Sequence, residues 1–311
     1  MSKSIRVAYG EALVKCGGER ENIVVLDADV SSSTQSCLFA KTYPDRFFNV
    51  GIAEANMTAM AAGFAAAGKI PFVNTFAVFL TSIGLAAARL FGSYSHIPIK
   101  LVGAYGGLSD AFDGPSHHAL EDIAIMRALP GYEVYVPCDA VQAEWVTRNA
   151  AVSPRAMYLR MSRDVFPDIY DAEKMFECGK SEVVREGTDA TVIACGLMVG
   201  NALRAAELLE KKGVSLRVVD MFCIKPIDRE MILRCADQTC AIVSAEEHSV
   251  IGGLGSAVAE VLAREGRGTP MRLVGMQDCH AECGPYAKLQ EKYGLDAQAI
   301  ADAVCEALEK R

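Results

Sequence analysis

The sequence predicts an α/β protein of two domains, each built on a mostly parallel sheet flanked by helices. Short apolar runs typical of buried strands alternate with helical stretches along most of the chain. The composition agrees, because the 311 residues are 51% hydrophobic but only 7% aromatic and include 26 glycines, which suits elements that pack through small side chains. A polar stretch from Asp164 to Lys180 interrupts the alternation and predicts a linker, so we place the domains at residues 1–170 and 171–311.

The predicted first domain repeats a strand followed by a helix, which favours a parallel sheet covered by helices on both faces. Its predicted strands lie at residues 23–26, 47–50, 72–74, 99–103 and 133–136. Its predicted helices lie at residues 56–67, 85–93 and 140–150. Each apolar run is short enough for a strand, and each helical stretch is long enough to cross back over the sheet.

The alternation resumes after the linker in a second, smaller domain. Its predicted strands lie at residues 191–195, 215–219, 241–244 and 271–274. Its predicted helices lie at residues 201–212, 252–264 and 296–310, the last ending at Lys310. The glycines at 252, 253 and 255 lack the G-x-G-x-x-G spacing of a dinucleotide site, so they predict a tight turn into a helix.

Charge and cysteine usage exclude several classes of protein. The net charge is −8 and no basic stripe is visible, which argues against binding to nucleic acid. Residues 70–88 lack charge, but Pro71 and polar side chains interrupt them, so we predict a buried core segment and no membrane span. Eleven cysteines without a CxxC pair are typical of a reducing compartment. With no apolar signal core at the N-terminus, we expect a cytoplasmic protein.

Glu54 lies in the least charged part of the sequence. From Gly51 to Ala88 the only other charged residue is Lys69. The residues before it predict a short strand that turns at Gly51 into a helix, with Glu54 in the first helical turn. Such a carboxylate either interacts with the helix dipole or is a buried group whose proton is used in chemistry. These residues alone leave both hypotheses open.

A glycine-rich loop follows the strand predicted at 99–103 and runs to Glu121. It carries Asp113, His117 and His118. Loops at the carboxyl ends of parallel strands are where α/β proteins bind ligands. Recognition or proton transfer is the better interpretation of the two histidines, and we assign no metal ligand in this chain.

Blocks of sequence spread over the whole chain resemble the transketolase family. In the first domain, the blocks that resemble the family's pyrimidine-binding domain are NVGIAEANM, PFVNTFAVF, FDGPSHHALEDIAIMRALPG and YLRMSR. In the second, those that resemble the family's C-terminal domain are TVIACG, VVDMFCIKPID and EEHSVIGGLGSAVAEVL. The resemblance implies a thiamine diphosphate pyrimidine-binding domain followed by a transketolase C-terminal domain.

The resemblance also implies how this chain meets the cofactor. Glu54 matches the acid that exchanges a proton with the pyrimidine ring nitrogen of thiamine diphosphate, so it is expected to be catalytic together with His117. Phe76 and Phe79 match aromatic residues that stack against the pyrimidine. Ser82 stands where a third aromatic residue is often found.

A second group of positions matches contacts to the substrate. The residues that match the family's phosphate contacts are Arg6, Ser33, His117 and Arg163, and the guanidinium fork of arginine suits a phosphate dianion. Asp113 matches an acid that contacts a sugar hydroxyl. Tyr105 stands where the family carries a histidine near the donor sugar, which leaves the identity of that sugar open.

The chain lacks the Gly-Asp-Gly motif with which the family binds the cofactor's pyrophosphate and metal. It therefore resembles the C-terminal subunit of a split transketolase. The resemblance implies an N-terminal partner subunit that holds the pyrophosphate with Mg²⁺ or Ca²⁺. It also implies sugar phosphate substrates, self-association and a two-plus-two heterotetramer with active sites at the subunit interfaces.

Three alternative functions remain open at this stage. A 1-deoxyxylulose-5-phosphate synthase-like protein and the β subunit of a 2-oxoacid dehydrogenase share the architecture. The context GPSHHALED argues against the first, and the four phosphate-matching positions argue against the second. The third alternative is a non-catalytic paralogue that binds a partner, which the presence of Glu54, Phe76 and Phe79 disfavours.

Overall fold

A computed structural model of the chain describes residues 3–165 and 167–309 and contains two β-sheets. The strands are β1 (Ile23–Asp27), β2 (Phe47–Asn49), β3 (Ile70–Phe76), β4 (Lys100–Ala104), β5 (Tyr132–Tyr135), β6 (Ala156–Arg160), β7 (Glu182–Arg185), β8 (Ala190–Ala194), β9 (Leu216–Asp220), β10 (Cys223–Lys225), β11 (Ile242–Ser249) and β12 (Met271–Met276).

Helices connect most of these strands. The α-helices are α1 (Ile5–Glu19), α2 (Ser31–Thr34), α3 (Cys37–Thr42), α4 (Glu54–Ala66), α5 (Ala77–Ser82), α6 (Leu85–Ala87), α7 (Asp122–Ala128), α8 (Ala140–Val152), α9 (Met198–Glu210), α10 (Arg229–Gln238), α11 (Leu254–Arg264), α12 (Tyr286–Lys292) and α13 (Ala297–Glu309). A 3₁₀ turn spans Pro44–Arg46, and a π-helical segment, Ala88–Tyr94, continues α6. The predicted helix 85–93 is thus partly π-helical, and Lys310 lies outside the described residues.

The first sheet has seven strands in the order β10-β5-β6-β4-β3-β1-β2. All its pairs are parallel except β10 with β5, in which Cys223 lies opposite Tyr135. Because β10 comes from the second half of the chain, that half completes the edge of the first sheet. The second sheet has the order β12-β11-β8-β9-β7, with only the β7 edge strand antiparallel.

The core of the first sheet shows why its central strands are continuous apolar runs. Along β1, Ile23 and Val25 pack in the cluster that contains Leu13 of α1, whereas Val24 and Leu26 pack in the cluster that contains Met57 of α4. Successive side chains of a strand point to opposite faces, so a strand covered by helices on both sides needs apolar residues at every position. This arrangement fixes α1 and α4 on opposite faces, with the strand ends between them.

No helix within residues 3–165 and 167–309 is long and apolar enough to cross a membrane. The predicted fold class, two mostly parallel sheets flanked by helices, is confirmed. The domain limits at residues 170 and 171 stay a prediction.

Candidate active site

The carboxyl ends of parallel strands meet at one edge of the first sheet, and Glu54 lies there at the first position of α4. Its side chain is only 3% exposed, although the helix that begins with it is largely apolar. The Thr75 hydroxyl, at the end of β3, donates to Glu54 Oε1 over 3.3 Å. This is a long bond for a hydroxyl donor. Within the described part of the chain, the buried carboxyl group thus has this one weak hydrogen bond.

Aromatic rings form a cluster at the same end of β3. Phe76 directly follows Thr75, and its ring stacks on that of Tyr105 with centroids 4.6 Å apart. His117, from the glycine-rich loop, contacts Phe76 and Phe79 edge-on at 5.9 and 5.2 Å. Phe79 is only partly buried, so part of its ring surface is open to a ligand. The fold therefore brings Tyr105 and His117 of the glycine-rich loop against Phe76 and Phe79.

Two arginines flank the same cluster. The guanidinium carbons of Arg6 and Arg163 lie 4.9 and 5.2 Å from the ring centroid of Tyr105. Arg6 donates to the Ser33 carbonyl oxygen and, over 3.3 Å, to the Tyr105 hydroxyl. Its buried Nε has no hydrogen-bond partner among the described residues. Such an unsatisfied charged donor, next to a second guanidinium group, favours binding of an anion.

Carboxyl groups partly balance these arginines. Arg163 Nη1 pairs with Asp110 Oδ1 at 3.0 Å, and Asp113 lies close enough to Asp110 to interact with it. Burial, and secondarily the nearby Asp113 carboxyl, raise the pKa of Asp110. Burial likewise raises the pKa of Asp164, which faces both arginines. Any anionic ligand therefore competes with these carboxylates for the guanidinium groups.

The second sheet holds the glycine-rich loop in place. The Leu108 N–H in this loop donates to Glu247 Oε1 on β11 (3.1 Å). Buried Arg160, at the end of β6, pairs with Asp122 Oδ2 at 2.7 Å and donates to the Ala119 and Glu247 carbonyl oxygens, each at 2.9 Å. Burial raises the pKa of Glu247 to about 7. The loop that carries Tyr105 and His117 is thus anchored at both ends.

Two of the sequence-predicted residues lie at the margin of this arrangement. Ser82 is exposed, and its hydroxyl donates to the Val78 carbonyl oxygen one turn earlier in α5 (2.6 Å). Asp113 is exposed on the loop and reaches the cluster through Asp110. Ser33 contributes its backbone carbonyl to Arg6, as described above. The other predicted residues, Glu54, Phe76, Phe79, Tyr105, His117, Arg6 and Arg163, converge at one edge of the sheet.

Sequence reasoning missed two residues of the site. Asp110 belongs to the loop that attracted attention for its histidines, and only its ion pair with Arg163 marks it as important. Glu247 belongs to the second half of the chain, and its contact with Leu108 depends on how the two halves pack. Within the described ranges, no group of three or more His, Cys, Asp and Glu side chains could hold a metal ion.

The donor set fits the pyrimidine end of thiamine diphosphate. A buried carboxyl group with one long hydrogen bond can form a further hydrogen bond with a ring nitrogen, and the partly open ring of Phe79 offers a stacking surface.

Two models of known protein families match successive parts of the chain. A family model for "Transketolase, pyrimidine binding domain" matches residues 1–168, and one for "Transketolase, C-terminal domain" matches residues 179–300.

The chain belongs to the transketolase family. A protein of Methanocaldococcus jannaschii named "Putative transketolase C-terminal section" is 42% identical over 310 residues, which cover 99% of this chain and 97% of that protein. The 6-deoxy-6-sulfo-D-fructose transketolase subunit SqwH of Clostridium sp. (strain MSTE9) is 38% identical, with 99% and 95% covered.

Longer transketolases match this chain over about half of their own length. Rattus norvegicus transketolase is 39% identical over 307 residues, which cover 96% of this chain but 48% of the rat protein. A solved structure described as "Split gene transketolase, inactive beta4 tetramer" is 45% identical, covers 99% of both chains and superposes with a TM-score of 0.90. This transketolase chain is thus equivalent to a C-terminal section, and its two domains imply use of thiamine diphosphate.

Proposed function

We propose that this chain supplies the pyrimidine half of the active site of a split, thiamine diphosphate-dependent transketolase. The enzyme transfers a two-carbon ketol unit from a ketose phosphate to an aldose phosphate. The observation that carries the proposal is the convergence of the buried Glu54 carboxyl, the aromatic cluster and two arginines at one edge of the first sheet. Edges of this kind are where α/β proteins bind ligands.

Glu54 holds the proton that the reaction requires at the pyrimidine ring nitrogen. Its burial keeps water away, and the weak bond from Thr75 leaves the carboxyl group free to share a proton. When bound, thiamine diphosphate supplies the carbanion-stabilising chemistry of the two-carbon transfer. Phe76 and Phe79 orient the pyrimidine by stacking, and the edge-on contacts of His117 with both rings place its imidazole beside the reacting end.

Arg6 and Arg163 bind the phosphate of the sugar. Both guanidinium groups lie over the Tyr105 ring, so one phosphate within reach of that ring would contact both. The Tyr105 hydroxyl, which accepts from Arg6 over 3.3 Å, adds a hydrogen-bonding group at the position where the family resemblance implies a histidine. Tyr105 therefore sets which donor sugars are accepted, and Asp113 contacts a hydroxyl of the sugar.

A partner subunit completes the site. The chain has no Gly-Asp-Gly motif for the pyrophosphate and its metal, and the split-gene relative is described as inactive as a β4 tetramer. Ile52, two residues before Glu54, is 84% exposed. Ile83, directly after α5, and Leu90, in the π-helical segment, are about half exposed, and both α5 and that segment pack against α4. Apolar groups exposed together mark a contact surface. We infer that an N-terminal subunit covers them in a two-plus-two heterotetramer and binds Mg²⁺ or Ca²⁺.

A substrate panel tests the proposed reaction. The chain is mixed with its N-terminal partner, thiamine diphosphate and Mg²⁺, and two-carbon transfer is measured from several ketose phosphates to several aldose phosphates. Transfer from at least one ketose phosphate is expected. Decarboxylation of a 2-oxoacid in place of transfer would favour a dehydrogenase β subunit, and the absence of turnover on every pair would favour a non-catalytic paralogue.

Replacing Arg163 should selectively weaken the binding of phosphorylated substrates. Arg163→Ala removes a charge-assisted contact worth about 1.5–3 kcal/mol, so KM for a sugar phosphate should rise roughly 10–150-fold. KM for hydroxypyruvate, which has no phosphate, should change little, and so should cofactor affinity. The measurement is steady-state kinetics of the reconstituted complex with both donors.

Arg148→Ala is the matched control for this substitution. Its side chain is 42% exposed and ion-paired, much like that of Arg163 at 45%, but it lies on α8 away from the site. This variant should leave both KM values unchanged. If Arg163→Ala raised KM equally for phosphorylated and unphosphorylated donors, the role of Arg163 would be structural.

A further inference from the structure

Two thiols come together where the predicted linker meets the edge of the first sheet. Cys178, near the end of the linker, is exposed, whereas Cys223 on β10 is buried, and both are free thiols. Their thiol groups lie close enough to interact, and the Cys223 thiol also donates to the Pro226 carbonyl oxygen over 3.2 Å. The backbone N–H of Gly179, next to Cys178, also donates to the Cys223 sulfur. The segment around Cys178 is therefore held against β10 by contacts that involve both cysteines.

A tyrosine completes this cluster. Tyr135 lies opposite Cys223 in the pairing of β5 with β10, and its hydroxyl is 2.8 Å from the Cys178 sulfur. The same hydroxyl is 3.0 Å from Glu133 Oε2 and accepts from Asn149 Nδ2 at 3.3 Å. Hydrogen bonds to a sulfur from a thiol and a phenol favour its ionised form.

The titration of the pair follows from this geometry. The hydrogen bonds from Cys223 and Tyr135 lower the pKa of Cys178 to about 7, while burial opposes the shift and raises the pKa of Cys223. Near neutral pH, Cys178 is therefore substantially a thiolate at the surface, and Cys223 remains a thiol beneath it. An accessible thiolate beside a second thiol is the arrangement of a redox-reactive cysteine with a resolving partner.

We propose that Cys178 is a site of oxidation by hydroperoxides and that Cys223 resolves it as a disulfide. The Cys178 thiolate attacks one peroxide oxygen, the O–O bond breaks, and the products are a Cys178 sulfenic acid and hydroxide, which takes up a proton to become water. The Cys223 sulfur then attacks the sulfenic sulfur, the S–O bond breaks and a second water leaves. Overall, two thiols and one hydrogen peroxide give one disulfide and two waters.

The disulfide would tie the linker covalently to the edge strand of the first sheet. Because Cys223 belongs to β10, which pairs with β5, the bond would fasten the connection between the two halves of the chain. It would also stop Cys178 at a reversible stage of oxidation, since a sulfenic acid without a nearby thiol proceeds to sulfinic acid. This site is independent of the proposed transketolase chemistry, because none of its residues belongs to the candidate active site.

Peptide mapping of the full chain tests the proposal directly. The chain is treated with hydrogen peroxide at pH 7, its remaining thiols are blocked, and it is digested with trypsin. Cys178 and Cys223 then lie in separate peptides, residues 175–180 and 218–229, each with a single cysteine. We expect a cross-link between these two peptides that dithiothreitol reverses. Absence of this cross-link, or oxidation of Cys178 to sulfinic acid without it, would overturn the proposal.

Two variants and one rate separate the roles of the two cysteines. In Cys178→Ser, peroxide should leave Cys223 reduced, and in Cys223→Ala, Cys178 should accumulate as a sulfenic acid that dimedone traps. At pH 7, iodoacetamide should alkylate Cys178 in the unmodified chain roughly tenfold faster than an ordinary peptide thiol, because about half of it is thiolate. If Cys223→Ala failed to fold, the alkylation rate of Cys178 and the peptide cross-link, both measured on the unmodified chain, would still test the proposal. Alkylation of Cys178 no faster than that of an ordinary peptide thiol would contradict it.

Discussion

Glu54→Gln in the reconstituted complex should reduce the rate of two-carbon transfer by about 10²–10⁴-fold while the chain still folds. The amide has nearly the same size as the carboxyl group and its oxygen still accepts from Thr75, so packing at the start of α4 is preserved. What the amide lacks is a proton that it can share with a weakly basic ring nitrogen. Steady-state turnover and the rate of C2 proton exchange of the bound cofactor should therefore fall together.

The alternative role of Glu54, as an acid that stabilises the N-terminus of α4, makes a different prediction. In that case the substitution would cost about 0.3–1 kcal/mol of unfolding free energy and leave turnover intact. Glu230→Gln is the matched control, because Glu230 lies in the first turn of α10, is exposed and pairs with Lys180. Near-full activity and normal proton exchange in Glu54→Gln would show that the catalytic assignment is wrong.

Arg160→Met should lower the free energy of unfolding by about 3–5 kcal/mol, the largest effect on stability that we expect. The side chains of Arg160 and Asp122 are 5% and 0% exposed, and their ion pair is 2.7 Å long. Removing the arginine leaves the buried Asp122 carboxyl with the Tyr158 hydroxyl as a donor (2.6 Å). It also removes the hydrogen bonds that Arg160 donates to the Ala119 and Glu247 carbonyl oxygens. Urea denaturation followed by circular dichroism measures the change.

An exposed ion pair of the same length provides the control. Arg267 pairs with Asp237 at 2.7 Å, but both side chains are about half exposed, so Arg267→Met should cost less than about 1 kcal/mol. Arg160→Met should also reduce activity, because Arg160 helps hold the loop that carries Tyr105 and His117. Equal costs for the two substitutions would show that burial of the Arg160 pair does not stabilise the fold.

Much of the fold was predictable because its strands are covered on both faces. β1 and β8 are buried at every position, so each is visible in the sequence as a mostly apolar run. β6 is also buried at every position, but its short apolar run between Arg155 and Arg160 was not predicted as a strand. β10 was missed because it has only three residues and its partner, β5, comes from the other half of the chain. The antiparallel edge strand β7 was missed because it is only partly buried and lies next to the irregular linker.

The candidate site divides in a similar way. Family resemblance identified Arg6 and Arg163, which single-sequence chemistry alone would have left as surface arginines. Asp110 and Glu247 were missed, because their importance lies in tertiary contacts, with Arg163 and with the Leu108 backbone. Ser82 was included because of its position in the resemblance, whereas its hydroxyl bonds to its own helix. The pattern of strands and loops in the sequence therefore predicted that the site lies at the carboxyl ends of the strands. Tertiary packing determined which side chains meet there.

The most direct test of the account is a titration of this chain with its N-terminal partner subunit. Transketolase turnover is measured at a fixed amount of this chain, with saturating thiamine diphosphate, Mg²⁺ and substrates, as the partner is added. We expect background activity for either subunit alone and a rise to a plateau at equal amounts of the two. Robust turnover by this chain without its partner would contradict the claim that it supplies only the pyrimidine half of the site.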